Sequence, residues 1–157
     1  MAAAALHAWA RSAQFAVGGR LTRVATIHLT LAFLGAVEDE QVAILRDMNV
    51  AGKSCALPIE HAGYWAHNRI VWVGPSAIPP LLEDLVRALR GQLAAENFRT
   101  EQRPFAAHVS MIRRARAPAE LPPLPVITWP VDEVALVRSC LSASGPDYEI
   151  LKRYALS

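Results

Sequence analysis

Cysteine is scarce in this sequence. Cys55 and Cys140 are the only two among 157 residues. They stand far apart and match no metal or redox spacing, which argues against a disulfide-stapled scaffold or a cysteine-ligated zinc ribbon. Reduced thiols in a cytoplasmic protein fit them better. Long apolar runs are also missing: none approaches the roughly 18 residues of a membrane span, so no membrane association is expected. The opening Met1-Ala-Ala-Ala-Ala-Leu-His-Ala-Trp9 lacks the basic start and apolar core of a signal peptide and reads as the start of a helix. A preponderance of one charge is absent as well, 16 basic against 14 acidic side chains giving +2. A protein that coats long nucleic acid needs a broad basic face. A small anionic substrate, or one end of an RNA, is compatible with this balance.

What is present is ample apolar material, 53% of the residues, enough for the core of one domain over residues 1–157. Residues 2 to 14 are alanine-rich, with Leu6, Trp9 and Ala13 at helical spacing, and Gly18-Gly19 breaks the pattern. A second helix is predicted over 38–49, opening with acids that suit a helix N-terminus. A third runs from Pro79-Pro80 to about Phe98, its leucines and Val86 on one stripe. Strands are predicted over 24–34, 54–65, 69–74, from Pro104-Phe105 through the second histidine segment, over 131–143 and over 148–156. Residues 116–125, with four prolines, read as a loop. Turns are predicted at His67-Asn68 and at Ser144-Gly145-Pro146-Asp147. Hairpins of this kind favour an α+β fold with antiparallel sheets over a doubly wound parallel one.

Two stretches organise the chain. Ile27-His-Leu-Thr-Leu-Ala-Phe-Leu-Gly35 and Ala107-His-Val-Ser-Met-Ile-Arg-Arg114 each hold histidine, any residue, then a hydroxyl side chain. In a strand, residues i and i+2 share a face. His28 would therefore share a face with Thr30, and His108 with Ser110, while Ile27, Leu29, Leu31, Phe33, Val109 and Met111 look to the core. Two such pairs across a cleft supply two proton carriers and two hydroxyl donors, enough to hold a phosphate and move protons on both sides of it. One such triplet carries little weight, because a histidine in an apolar strand is more often structural. Two, half a chain apart, favour function.

The first stretch resembles the first signature of the two-histidine phosphoesterases, and is similar more narrowly to the bacterial RNA 2′,3′-cyclic phosphodiesterases, the LigT-like 2′-5′ RNA ligases. Arg103-Pro104-Phe105 followed by His108-Val-Ser110-Met-Ile-Arg113 resembles the second signature. Ala62-Gly63-Tyr64-Trp65 with Arg69-Ile-Val-Trp72-Val-Gly74 resembles the family's middle hairpin, and Tyr148 to Leu156 its closing strand. The likeness runs from about residue 20 to 156. The chain departs from the pattern at Ala107, where the family has proline, and at Ser110 and Met111, where threonine and leucine are commoner. It also begins at the first helix, where relatives have an apolar strand before it. A missing strand would leave a sheet edge unpaired.

The resemblance implies a bilobal α+β fold, two antiparallel sheets flanking a central cleft with helices outside, as a single domain of two pseudo-symmetric lobes. It implies hydrolysis of a 2′,3′-cyclic phosphate RNA end to a 2′-phosphomonoester, without metal or other cofactor; a monomer is the favoured expectation, with the oligomeric state left open by the sequence. Histidine suits both proton transfers because its unperturbed pKa is about 6.5. By the resemblance His28 is the general acid and His108 the general base; the residues alone would allow the reverse. Thr30 and Ser110 would donate to the non-bridging oxygens. Arg113 is expected at the phosphate or nucleotide, and Phe33 or Phe105 at a base, although a core role suits either phenylalanine as well. Phe33 and Arg113 each stand five residues after their histidine, so a strand end or bulge must intervene if they touch substrate. The alternatives are reversible 2′-5′ ligation and a non-catalytic module that binds RNA ends. A metal site from His28, His61, His67 and His108 lacks the spacing and acidic or thiol partners that zinc uses. His7 and His61 read as ordinary surface residues.

Overall fold

The computed structural model describes residues 1–143 and 145–157. Among these, three helices and eight strands alternate along the chain in an α+β arrangement. Helix α1 (Ala2–Val17) is built from strong helix formers. Leu6, Trp9, Ala10, Ala13 and Val17 recur at helical spacing and are its buried residues. It ends where Gly18 and Gly19 take positive φ, 64° and 77°, a conformation costly to residues with a Cβ.

The strands that follow are β1 (Arg20–Leu21), β2 (Cys55–Ile59), β3 (His61–Trp65), β4 (Ile70–Gly74), β5 (Val109–Arg113), β6 (Ile127–Val131), β7 (Glu133–Ser142) and β8 (Gly145–Ala155). A four-stranded sheet has the order β1-β5-β4-β3, its neighbours antiparallel. The pairs β2-β6 and β7-β8 stand as separate two-stranded ladders. Helix α2 (Asp39–Asp47) carries Asp39 and Glu40 in its first turn and Arg46 in its last, as its dipole favours. At its start the Gln41 side chain accepts the Glu38 N–H at 2.8 Å. Helix α3 (Pro80–Ala95) starts on a proline and buries Leu82, Leu85, Val86, Leu89 and Leu93.

The chain divides into two compact units. One comprises Met1–Thr30, Ala56–Ile78 and Ala106–Trp129; the other comprises Leu31–Cys55, Pro79–Phe105 and Pro130–Ser157. In the first, α1 packs on β5 and β1, and Val71, Val73, Val109 and Ile112 of the sheet are fully buried. In the second, the long β7-β8 ladder is tied to α2 by the Tyr154 hydroxyl, which donates to the Leu45 carbonyl at 2.5 Å.

Four expectations need correction. No strand spans 24–34: residues 24–26 form a 3-10 turn, and 27–35 run without a ladder partner among the described residues. The segment over 54–65 is two strands, interrupted at Glu60 and belonging to different sheets. Strand β6, containing Pro130, has no counterpart among the strands expected from the sequence. Of the turn placed at 144–147, Ser144 lies outside the described residues, and Gly145, Pro146 and Asp147 belong to β8.

Candidate active site

The four-stranded sheet has two unlike faces, and its register decides which residue belongs to which. Val71 pairs with Ile112, but the next residue, Trp72, pairs with Ser110. Met111 is therefore an extra residue, a β-bulge. Without it, Arg113 would alternate to the opposite face from Ser110. With it, Ile112 turns back beside Val71, and Arg113 comes to the face of Ser110 and Trp72. Burial agrees: Val71, Val73, Val109 and Ile112 are 0% exposed, whereas Trp72, Ser110 and Arg113 are half-buried. The back of the sheet is core against α1. The front holds hydroxyl, aromatic and cationic side chains.

His108 stands at the head of β5. Its Nδ1 lies 2.8 Å from the Ala106 carbonyl oxygen. A carbonyl can only accept, so Nδ1 carries the proton and Nε2 is left for chemistry. His28 repeats the arrangement. Its Nδ1–H donates at 2.7 Å to the carbonyl of Thr26, again two residues earlier. Its Nε2 lies 3.1 Å from the Thr30 hydroxyl. The 3-10 turn over residues 24–26 presents that carbonyl, so the local structure that replaces the expected strand is also what orients the ring. Thr22, just after β1, is tied to the second signature: its N–H donates to the Met111 carbonyl and its hydroxyl to the Ser110 carbonyl, both at 2.8 Å.

The structure gathers His28, Thr30, His108, Ser110 and Arg113 in one unit and puts Phe33 and Phe105 in the other. Phe33 is 69% exposed, which a core role does not explain. The Arg90 guanidinium sits 6.0 Å from the Phe105 ring centroid. Arg90 also donates to the Arg103 carbonyl at 2.9 Å, holding the Arg-Pro-Phe segment against α3. Among the described residues no three His, Cys, Asp or Glu side chains cluster so as to hold a metal ion.

Sequence reasoning missed the aromatic side chains beside His108. Trp65 meets the His108 ring nearly edge-on, with centroids 4.6 Å apart and planes at 70°. Trp72 lies 5.2 Å from Trp65 at 31°, and His61 is 5.6 Å from Trp72. Gly63 is Trp72's cross-strand neighbour, and a Cβ there would collide with the indole. The signal was present as a glycine on one tryptophan-bearing strand opposite the tryptophan of the next, but it requires the register to be read.

The family model for LigT like Phosphoesterase matches residues 1–72. The chain is 34% identical over 143 residues to the RNA 2′,3′-cyclic phosphodiesterase of Escherichia coli K12, covering 88% of this chain and 81% of that protein. It is 32% identical over 145 residues to the protein of the same name from Thermus thermophilus, covering 83% and 72%. Among solved structures, E. coli LigT in apo form superposes with a TM-score of 0.87 at 30% identity, over 99% of this chain and 91% of that one. The same protein complexed with 3′-AMP gives 0.86 at 30% identity, over the same shares. With this agreement in fold and over most of its length, the chain belongs to the LigT-like phosphoesterase family.

Proposed function

We propose that this protein hydrolyses the 2′,3′-cyclic phosphate end of an RNA to a 2′-phosphomonoester, with His28 and His108 as its two proton carriers and no metal in the chemical step. The observation that carries the reading is the repeated tether. Each imidazole donates Nδ1–H to the carbonyl two residues before it, at 2.7 and 2.8 Å, which leaves Nε2 for proton transfer, the Thr30 hydroxyl lying 3.1 Å from that of His28. Each also has a hydroxyl residue two positions on, Thr30 or Ser110. A fixed tautomer that leaves one nitrogen for proton transfer is what general acid–base catalysis requires of histidine.

In this mechanism Nε2 of His108 accepts a proton from the attacking water as the new P–O bond forms. The P–O3′ bond breaks, and Nε2–H of His28 delivers a proton to the departing O3′. The 2′ ester survives. Thr30 and Ser110 donate to the non-bridging oxygens and hold the phosphorus between the rings. Arg113, brought to the front face by the bulge, compensates phosphate charge. The names of the relatives support the substrate class, and the 3′-AMP complex of E. coli LigT supports a nucleotide ligand.

A short RNA ending in a 2′,3′-cyclic phosphate, incubated with the protein in excess EDTA and followed by phosphorus NMR, should give the 2′-monoester only. His28→Ala and His108→Ala should each lower kcat by about a hundredfold or more, the scale of general acid–base catalysis, with the circular dichroism spectrum retained. Near-normal turnover by either variant would sink the two-histidine mechanism. Turnover that stops with EDTA and returns with added metal would sink the metal-free step.

A further inference from the structure

We propose that the front face of the four-stranded sheet, centred on Trp72 and Trp65, is a stacking subsite for the nucleotide preceding the cyclic-phosphate end, so that an oligonucleotide is preferred over a mononucleotide. The inference rests on the phosphodiesterase reading above and deepens it.

Continuity with the candidate catalytic residues is the first argument. Trp65 touches the His108 ring, and Trp72 is the cross-strand partner of Ser110. A chain whose terminal phosphate lies at His108 and Ser110 has these indoles beside it. Both are half-buried, not sealed in core, and His61 beyond them is exposed. The placement of Trp72 also carries a cost. Its Nε1 is buried without a hydrogen-bond partner, where an indole N–H normally finds one. An apolar residue on the same sheet would avoid that loss, so packing alone is a poor reason for a tryptophan here.

Charge is the second argument. Arg20 and Arg113 are directly opposite across β1 and β5. Like charges in that position repel, and among the described residues neither arginine has an acidic partner. An anion between them would turn the repulsion into a site, and the RNA backbone supplies one phosphate per nucleotide. The unit that holds the sheet has seven arginines against Glu60 and Glu120, a net charge of +5, and all five histidines of the chain. Aromatic rings interleaved with arginine recognise single-stranded nucleic acid irrespective of sequence, because every base has a π-face. The occupant is therefore the 5′-ward continuation of the substrate.

The test compares adenosine 2′,3′-cyclic phosphate with a triadenylate carrying the same cyclic end. Wild-type protein should favour the trinucleotide about tenfold in kcat/KM, through KM. Trp72→Ala should bring that ratio close to one, and Trp72→Phe should restore much of it. A wild-type ratio near one overturns the subsite while leaving the phosphodiesterase reading standing. If neither substrate turns over, the phosphodiesterase reading itself falls. An equal loss on both substrates in Trp72→Ala would make the indole a support for His108 and overturn the subsite. Should Trp72→Ala fail to fold, His61→Ala at the exposed edge should lower the ratio about threefold. Wild-type tryptophan fluorescence should also be quenched on titration with the 2′-phosphorylated trinucleotide, and an unchanged spectrum with the product bound would overturn the proposal.

Discussion

At the scale of the residue, the orientation of His108 depends on a position with no side chain. Its ring is tethered to the Ala106 carbonyl, and the next peptide, at Ala107, lies so close to β4 that a Cβ on Gly74 would meet the Ala107 oxygen at 2.5 Å. The obstacle is backbone, so it cannot swing aside as a flexible side chain would. Gly74→Ala should therefore displace the peptide that precedes His108. Misplacement of a catalytic group by a fraction of an ångström is expensive, on the order of a hundredfold per ångström. The expected result is a fall in kcat of about tenfold with a smaller change in KM, and a stability loss of about 1–3 kcal/mol from overpacking. Steady-state kinetics and urea unfolding on the same preparation separate the two effects. An unchanged kcat would show that the 106–108 segment adjusts freely. The same scale explains what the sequence made legible of the site. Two histidine-x-hydroxyl triplets are visible without coordinates, and so is the need for a bulge before Arg113 can join them. The tryptophans are not visible in this way, because their proximity to His108 and Ser110 follows from cross-strand pairing between segments far apart in the chain.

At the scale of the element, the hydroxyl of Tyr154 joins β8 to α2, and burial pushes its pKa above the ordinary value of 10.0. Asp47 adds to the rise, and Arg46 pulls against it. A folded-state pKa above the unfolded value means that the native state favours the protonated phenol. Its contribution is complete below the unfolded pKa and is lost as pH rises through the folded one. Unfolding free energy should therefore decline above about pH 10. Tyr154→Phe should cost about 1 kcal/mol at neutral pH, the worth of one hydrogen bond, and should flatten this alkaline decline. Urea melts at pH 7 and at the alkaline end provide the check; an equal slope in both proteins would exclude the phenol as its source. The elements were legible in proportion to how local their determinants are. The 3.6-residue stripes of α1 and α3 fall largely on buried positions, with Leu81 left exposed, that of α2 buries Leu45 alone, and the ends of all three lie near their expected places. The β3-β4 and β7-β8 hairpins join neighbouring segments and were readable for the same reason. The alternating pattern around His28 looked like a strand, yet alternation describes only one chain. A strand also needs a neighbour, and the 3-10 turn over residues 24–26 takes this segment away from β5, the partner of β1. Strand β6 escaped because Pro130 and the prolines before it disguise a ladder whose partner, β2, is many residues away.

At the scale of the whole molecule, the net charge of +2 conceals a segregation. The unit containing both histidine-x-hydroxyl triplets has +5, and the remaining residues, with nine basic and twelve acidic side chains, have −3. The near-neutral total argued against extended nucleic acid as a partner; the division shows where an anion would be attracted. Chain order hides it, because each unit is assembled from three separate segments whose charges interleave in sequence. Salt dependence should follow from this division. Each phosphate neutralised on a single strand releases bound counterion, and the logarithm of affinity falls by about 0.7 per contact for each tenfold rise in salt. Under conditions well below KM, kcat/KM on a cyclic-ended trinucleotide should accordingly decline more steeply between about 50 and 200 mM salt than it does on the mononucleotide, which has fewer phosphates to contact. Arg113→Gln should weaken both substrates and lower the slope by about one contact, whereas Arg20→Gln should act chiefly on the trinucleotide slope. Equal slopes for the two substrates would show that the excess charge of this unit does not meet the RNA backbone, and the arginine pair across β1 and β5 would then lose its assigned role.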